Sequence, residues 1–111
     1  MKINLNDKKF KPKETVDNGD VSMDTVFHYR QDGNAIWASY KGGKIVTGTL
    51  IGKIKNDRIS LIYQQLNEIN EFLTGCCETV ISIKGGKVYL DETWQWTCKD
   101  YSKGHSLLEE I

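Results

Sequence analysis

The sequence lacks the features by which several classes of protein are recognised. Its 111 residues include 15 basic and 15 acidic side chains, so the formal net charge is zero. Nucleic-acid-binding domains usually carry a basic stripe, and a balanced chain gives no sign of one. No stretch approaches the roughly 18 apolar residues of a membrane-spanning helix, and the polar N-terminal segment contains no secretory apolar region. We therefore expect a cytoplasmic protein with no nucleic-acid partner and no membrane contact.

Cysteine, histidine and proline are also scarce. There are three cysteines, two of them adjacent (Cys76 and Cys77), and two histidines far apart in sequence. No CxxC pair exists, so neither a disulfide framework nor a zinc clip is expected, and we predict no metal and no cofactor. The single proline, Pro12, lies in the first predicted strand, where an edge or barrel-closing position would tolerate it.

What the chain does contain is a regular succession of turn signals. Asn-Gly, Asp-Gly and Gly-Gly pairs occur at residues 18–19, 32–33, 42–43 and 85–86, and such pairs fit two-residue hairpin turns. The runs between turns are rich in Val, Ile, Thr, Tyr and Trp, which suit strands. The predicted strands span residues 8–16, 22–31, 34–41, 44–54, 58–66, 71–84, 87–99 and 105–111. Closure removes exposed sheet edges, so we predict one all-β domain over residues 1–111, an antiparallel up-and-down barrel of about eight strands.

Strand pairing predicts which side chains face the inside of this barrel. A two-residue turn at Gly85-Gly86 pairs Lys84 with Lys87 and places Glu92, Trp94 and Trp96 in one largely apolar row. A slip of one residue would bury the opposite, more polar row of the same strand. We therefore predict that the tryptophan row points inward.

The same reasoning at Gly42-Gly43 pairs Lys41 with Lys44 and sets Trp37 opposite Gly48. Extending the register adds His28 and Arg30 on one side and Tyr63 on the other to the inward row. A competing apolar row leaves the inward face of the second to fourth strands open, and it consists of Phe27, Tyr29, Ile36, Ala38, Tyr40, Ile45 and Ile51.

Glu92 is the polar residue of an otherwise apolar inward row. A buried carboxylate without a partner costs several kcal/mol or becomes protonated, so a partner is expected. Thr79, Arg30 or His28 would serve structurally, and a ligand would serve functionally. We predict that the lumen binds a small, largely apolar molecule, although plain core packing of the aromatic residues remains open. The candidate ligand-binding residues are Trp37, Trp94, Trp96, Tyr63, Glu92, His28 and Arg30.

Two other functional classes remain open at this stage. In one, a small-barrel enzyme uses Glu92 or His28 as an acid or base. In the other, Phe27, Tyr29, Ile36 and Tyr40 form an outer aromatic face that binds a partner or a second copy of the chain.

The stretches DTVFHYRQDGNAIWASYKGG, KIVTGTLIG, DETWQWTCKD and SLLEEI resemble a family of small β proteins of about 110 residues that are often labelled N-acetylglutamate synthase. The resemblance covers nearly the whole chain beyond residue 20 and defines no activity. At the level of the fold, the pattern looks like calycin barrels of the lipocalin type, or avidin- and streptavidin-like barrels. That likeness implies binding of a small molecule in the mouth of the barrel.

Overall fold

A computed structural model describes residues 3–15 and 20–111 of the chain. Each strand pairs antiparallel with the next, and the first pairs with the last, so the sheet closes into a barrel. The all-β, eight-stranded up-and-down barrel is thereby confirmed. No helix in these two ranges is long and apolar enough to cross a membrane. The strands are β1 (Lys8–Thr15), β2 (Val26–Asp32), β3 (Ala35–Gly42), β4 (Ile45–Lys55), β5 (Arg58–Asn67), β6 (Phe72–Lys84), β7 (Lys87–Trp96) and β8 (Lys103–Glu110).

One end of the barrel is packed solid. Side chains from several strands are completely or almost completely buried there, namely Phe10, Ile36, Ile59, Leu90 and Leu108. Leu5, which precedes β1, is also fully buried, and its backbone N–H donates a hydrogen bond to the Gln31 side chain at 2.8 Å. Any opening must therefore lie at the other end, where β3–β4, β5–β6 and β7–β8 are connected. Apart from Asp20, the predicted turn at 17–20 lies outside the described residues.

The β6–β7 hairpin has the predicted register. Lys84 pairs with Lys87 across the Gly85-Gly86 turn, and both glycines have positive φ. Glycine adopts this left-handed conformation without steric cost, which is why the sequence marks the turn so clearly. The ladder continues to Thr79 opposite Glu92, so the inward orientation of the Trp94 row is confirmed.

The predicted orientation of β2 and β3 is wrong. Trp37, His28 and Arg30 share one face, as expected, but that face is the outside of the barrel. The competing row points inward instead, with Phe27, Tyr29, Ile36, Ala38, Tyr40 and Ile45 all buried. Ile51 is the exception in that row, because it lies on the outer face of β4 and is exposed.

The cause is the register of the β3–β4 hairpin. Gly42 pairs with Ile45, so the turn lies one residue later than predicted, and the ladder then shifts between Tyr40 and Gly42. Gly48 consequently pairs with Tyr40 rather than with Trp37. The observed partner Tyr40 and the predicted partner Trp37 are three residues apart on β3. Because side chains alternate between the two faces of a strand, an odd displacement places every side chain of β3 on the face opposite to the predicted one.

This inversion also removes the predicted outer aromatic face. Phe27, Tyr29, Ile36 and Tyr40 are core residues and are not available to a partner. A different apolar stripe lies outside, where the register aligns Trp37, Ile51, Ile62 and Cys76 across β3 to β6.

Candidate ligand-binding site

Three consecutive inward positions of β7 dominate the lumen at its open half. Glu92, Trp94 and Trp96 are all buried, with Glu92 only 8% exposed. Alternate residues of a strand point to the same side, so the three side chains form a ladder along the barrel. Leu90, the next inward residue, belongs to the packed end, so Glu92 lies at the inner limit of the open half.

Strand glycines fix the positions of the aromatic rings. The Trp94 ring packs so closely on Gly104 that a Cβ there would lie 2.1 Å from a ring carbon, and the Tyr63 ring covers Gly75 in the same way, at 2.2 Å. Trp96 pairs with Gly75 in the register, as predicted, but Tyr63 provides the ring that covers it. The ring centroid of Trp96 lies 5.4 Å from that of Trp94 and 5.8 Å from that of Tyr63. Three rings are thus held around one space.

That space is a recess in the open half of the barrel. Its cavity volume is about 50 Å³, and the recess is partly open to solvent. Sites for small ligands combine apolar walls with a few polar groups. The lining residues are Asp20, Val21, Phe27, Tyr40, Leu50, Leu61, Tyr63, Gln65, Cys77, Glu92, Trp94, Trp96 and Ser106.

The Glu92 carboxyl is held in its neutral form by its surroundings. Burial raises its pKa to about 8, because removal from water disfavours the charged form. The nearby Tyr29 hydroxyl partly opposes this effect, and the Asp91 charge adds to it. Within the described residues, the Tyr29 hydroxyl is completely buried and has no hydrogen-bond partner of good geometry, although it lies close enough to Glu92 to affect its pKa.

Comparison with known proteins places this architecture in a family. The model of the avidin-like proteins matches residues 3–111. The chain belongs to the avidin-like family. Among solved structures, apo shwanavidin (P21 form) matches with a TM-score of 0.70, over 96% of this chain and 98% of that chain, at 12% sequence identity. At this identity the likeness shows the fold alone. No curated protein sequence matches the chain.

The mouth of this avidin-like barrel carries a second carboxyl group. Asp20 accepts hydrogen bonds from the side-chain amides of Gln65 and Asn67 at 3.3 and 3.2 Å. Gln65 in turn accepts a hydrogen bond from the Tyr40 hydroxyl at 3.0 Å. Because Asp20 and Val21 both line the recess, the segment before β2 forms part of its rim.

Three of the predicted site residues lie outside the lumen. The His28 ring is 2.7 Å from the Asp7 carboxylate, Arg30 is exposed, and Trp37 is 43% exposed on the outer surface. The predicted inward orientation of these three residues is therefore wrong, because the register of the β3–β4 hairpin differs from the predicted one by an odd number of residues. His28 therefore cannot act as an acid or base in the lumen, which leaves Glu92 as the candidate for that alternative.

The structure brings the other four predicted residues together, namely Trp94, Trp96, Tyr63 and Glu92. Sequence reasoning missed Asp20 and Ser106 as members of the same recess. Asp20 lies in the segment before β2, and Ser106 lies on the closing strand, where it accepts a hydrogen bond from Trp94 Nε1 at 3.1 Å. Neither residue carries a local motif that would have identified it.

Proposed function

We propose that this avidin-like protein binds a small, largely apolar molecule in the barrel lumen. Trp94, Trp96 and Tyr63 form the walls, and Glu92 is the polar anchor. The observation that carries the proposal is a recess lined by rigid aromatic rings and ending at a buried carboxyl without an ionic partner in the described part of the chain. Avidin-like barrels bind small ligands such as biotin, which supports the class of function.

Native mass spectrometry, compared with the denatured mass, tests this proposal on the gently purified protein. A bound molecule adds mass to the native protein alone. Trp94→Phe removes part of the wall with a smaller loss of packing than Trp94→Ala, which would cost about 3–5 kcal/mol. Trp37→Phe is the matched control, because Trp37 lies on the outer surface.

We expect the added mass to be reduced in Trp94→Phe and retained in Trp37→Phe. Biotin is the first compound to add if the purified protein is bare. Binding that both variants lose equally, or no binding of any compound, would contradict a lumen site.

We propose in addition that two copies of the chain associate through the outer stripe defined by Trp37, Ile51, Ile62 and Cys76. Ile51 and Ile62 are 60% and 58% exposed, and the register places them side by side between rows that are mostly polar. Exposed apolar patches of this kind mark association surfaces. Sedimentation velocity should show a dimer that Ile62→Asp dissociates, whereas Val80→Asp, on the outer face away from the stripe, leaves it intact. A monomer at high concentration contradicts this proposal.

We also propose a cytoplasmic location. Its support is that Cys76, Cys77 and Cys98 are all free thiols, which is the common state in a reducing compartment. Fractionation of cells that express the protein, with a periplasmic or secreted marker as control, measures this directly. Recovery with the marker would contradict it.

A further inference from the structure

Among residues 3–15 and 20–111, those that line the recess include acidic groups and no basic ones. Asp20 lies at its rim and Glu92 at its inner end, and no Lys, Arg or His is among the described residues that line it. The two basic residues expected to reach the lumen, His28 and Arg30, face away from it. Glu92 is therefore buried in the lumen without a compensating positive charge from the part of the chain that the structure describes.

The titratable groups around Glu92 do not supply that charge either. They lose a proton when they ionise and can only become negative, and they are Tyr29 on β2, Tyr40 on β3, Tyr63 on β5, Cys77 on β6 and Asp20 at the rim. Leu50 on β4 and Ser106 on β8 are lining residues that do not titrate. Burial raises the pKa of each of the three tyrosines and of Cys77, so these groups stay neutral.

The inner end also contains an unsatisfied polar atom. The Tyr29 hydroxyl lacks a well-formed hydrogen bond among the described residues, and it lies beside Glu92. Native structures leave very few buried polar atoms unpaired, and those that remain call for a water, an ion or a ligand. Glu92 lines the recess and Tyr29 does not, so a ligand N–H group there would meet the Glu92 carboxyl.

The aromatic walls favour the same charge. Trp94, Trp96 and Tyr63 surround the recess, and Phe27 and Tyr40 stack at 4.7 Å between ring centroids on its other side. The face of an aromatic ring carries negative charge density and attracts a cation within about 6 Å. Aromatic walls suit a cation as well as a neutral apolar body, so Asp20 and Glu92 decide the preferred charge.

We propose that the ligand of this recess is a small organic cation, an amidinium or protonated amine on a compact apolar body. Its charged N–H groups bind the Glu92 carboxylate next to the Tyr29 hydroxyl, and its body packs between Trp94, Trp96 and Tyr63. This inference rests on the lumen-binding function proposed above and names the chemical class of its ligand.

Binding of a cation to Glu92 requires the carboxylate form. Because the free protein holds this group protonated below about pH 8, the cation releases one proton when it binds near neutral pH. Because proton release and cation binding are linked, the affinity for the cation increases about tenfold for each unit by which the pH rises toward 8. Above pH 8 the affinity no longer changes. A neutral ligand shows no such slope.

Three probes of nearly identical size and shape test the charge preference, namely benzamidinium, benzamide and benzoate. The Trp37→Phe background leaves Trp94 and Trp96 as the remaining tryptophans, so their emission reports on the lumen. Calorimetry in two buffers of different ionisation enthalpy counts the protons released. We expect benzamidinium to bind at least tenfold more tightly than benzamide at pH 8, and benzoate to bind more weakly still.

Glu92→Gln should reduce the affinity for benzamidinium at least tenfold, abolish its pH dependence and leave benzamide unchanged. The matched control is Glu78→Gln, since Glu78 is an exposed acid on the outer face of β6. If benzamide or benzoate changes the lumen tryptophan emission as tightly as benzamidinium does, lumen binding stands and the cation preference is overturned. If none of the three changes the emission, the cation proposal fails, and the native mass measurement decides separately whether the lumen binds any molecule.

Discussion

Glu92→Gln should change how the stability of this avidin-like barrel depends on pH. The free carboxyl group has its ordinary pKa of 4.5 in the unfolded chain and a pKa of about 8 in the folded protein. Between these values the unfolded chain loses the proton while the folded protein keeps it. The unfolded state is thereby favoured, and stability falls as the pH rises through this window.

The size of the effect follows from the separation of the two pKa values. Each pH unit between them corresponds to about 1.4 kcal/mol of differential proton binding. The raised pKa of Glu92 therefore lowers the free energy of unfolding by a small amount at pH 5, by about 3 kcal/mol at pH 7, and by about 5 kcal/mol well above pH 8. Domains of this size are typically stable by about 5–15 kcal/mol, so a penalty of this order is readily measured.

Urea denaturation of the parent protein and Glu92→Gln at several pH values between 5 and 9 measures the difference. Glutamine does not titrate, so its contribution to stability does not change with pH. The free energy of unfolding of the variant should therefore increase relative to that of the parent by about 3 kcal/mol between pH 5 and pH 8. The two exposed His–Asp pairs, His28–Asp7 and His105–Asp91, are present in both proteins and cancel in the comparison.

Glu78→Gln is the matched control. Glu78 is an exposed carboxylate on the outer face of β6 and accepts a hydrogen bond from Ser60, so its replacement removes one negative charge without touching the lumen. A stability difference between Glu92→Gln and the parent that stays constant across this pH range would refute the reasoning. It would mean that water or a counter-charge reaches the carboxyl group.

Two further predictions concern the same recess. Gly104→Ala should destabilise the protein by about 1–3 kcal/mol in urea denaturation, because its Cβ would overlap the Trp94 ring. Ser39→Ala, an exposed strand position, serves as its control, and equal effects of the two would contradict the close packing. Tyr29→Phe should raise the Glu92 pKa further, since the hydroxyl partly holds it down, and should cost little stability because that hydroxyl lacks a good partner. The pH midpoint of the stability difference reports this pKa, and a shift to lower pH would contradict the prediction.

The β6–β7 half of the barrel was predictable because its information is local. A Gly-Gly turn fixes the register at one point, and alternation carries it along ten residue pairs without interruption. The chemistry of the two rows then decides the face, since the opposite choice would bury Asp91 and Gln95. Glu92, Trp94 and Trp96 could therefore be placed inside from sequence alone.

The β3–β4 hairpin looked equally clear and failed because its register depends on contacts that are distant in sequence. A Cβ on Gly42 would lie 2.1 Å from the Asp24 carbonyl oxygen, and the Thr25 hydroxyl donates a hydrogen bond to the Gly42 carbonyl. The segment before β2 thus packs against this turn, and Gly42 and Gly43 both have positive φ. The alternation of apolar and polar residues in β3 and β4 gives no information about this contact with the segment before β2. The competing row was equally apolar, so composition could not correct the error.

The same distinction explains which parts of the site were found. Trp94, Trp96 and Glu92 stand in one strand, where alternation shows that they share a face. Asp20 and Ser106 join them only through barrel closure and through the segment before β2, so the one-sided charge of the recess was hidden from the sequence. The recess is acidic because β2 and β3 face the opposite way from the prediction, with His28 and Arg30 pointing outward and Tyr29 pointing inward. Within the described residues, the expected charged partners of Glu92 are thereby replaced by the uncharged Tyr29 hydroxyl group.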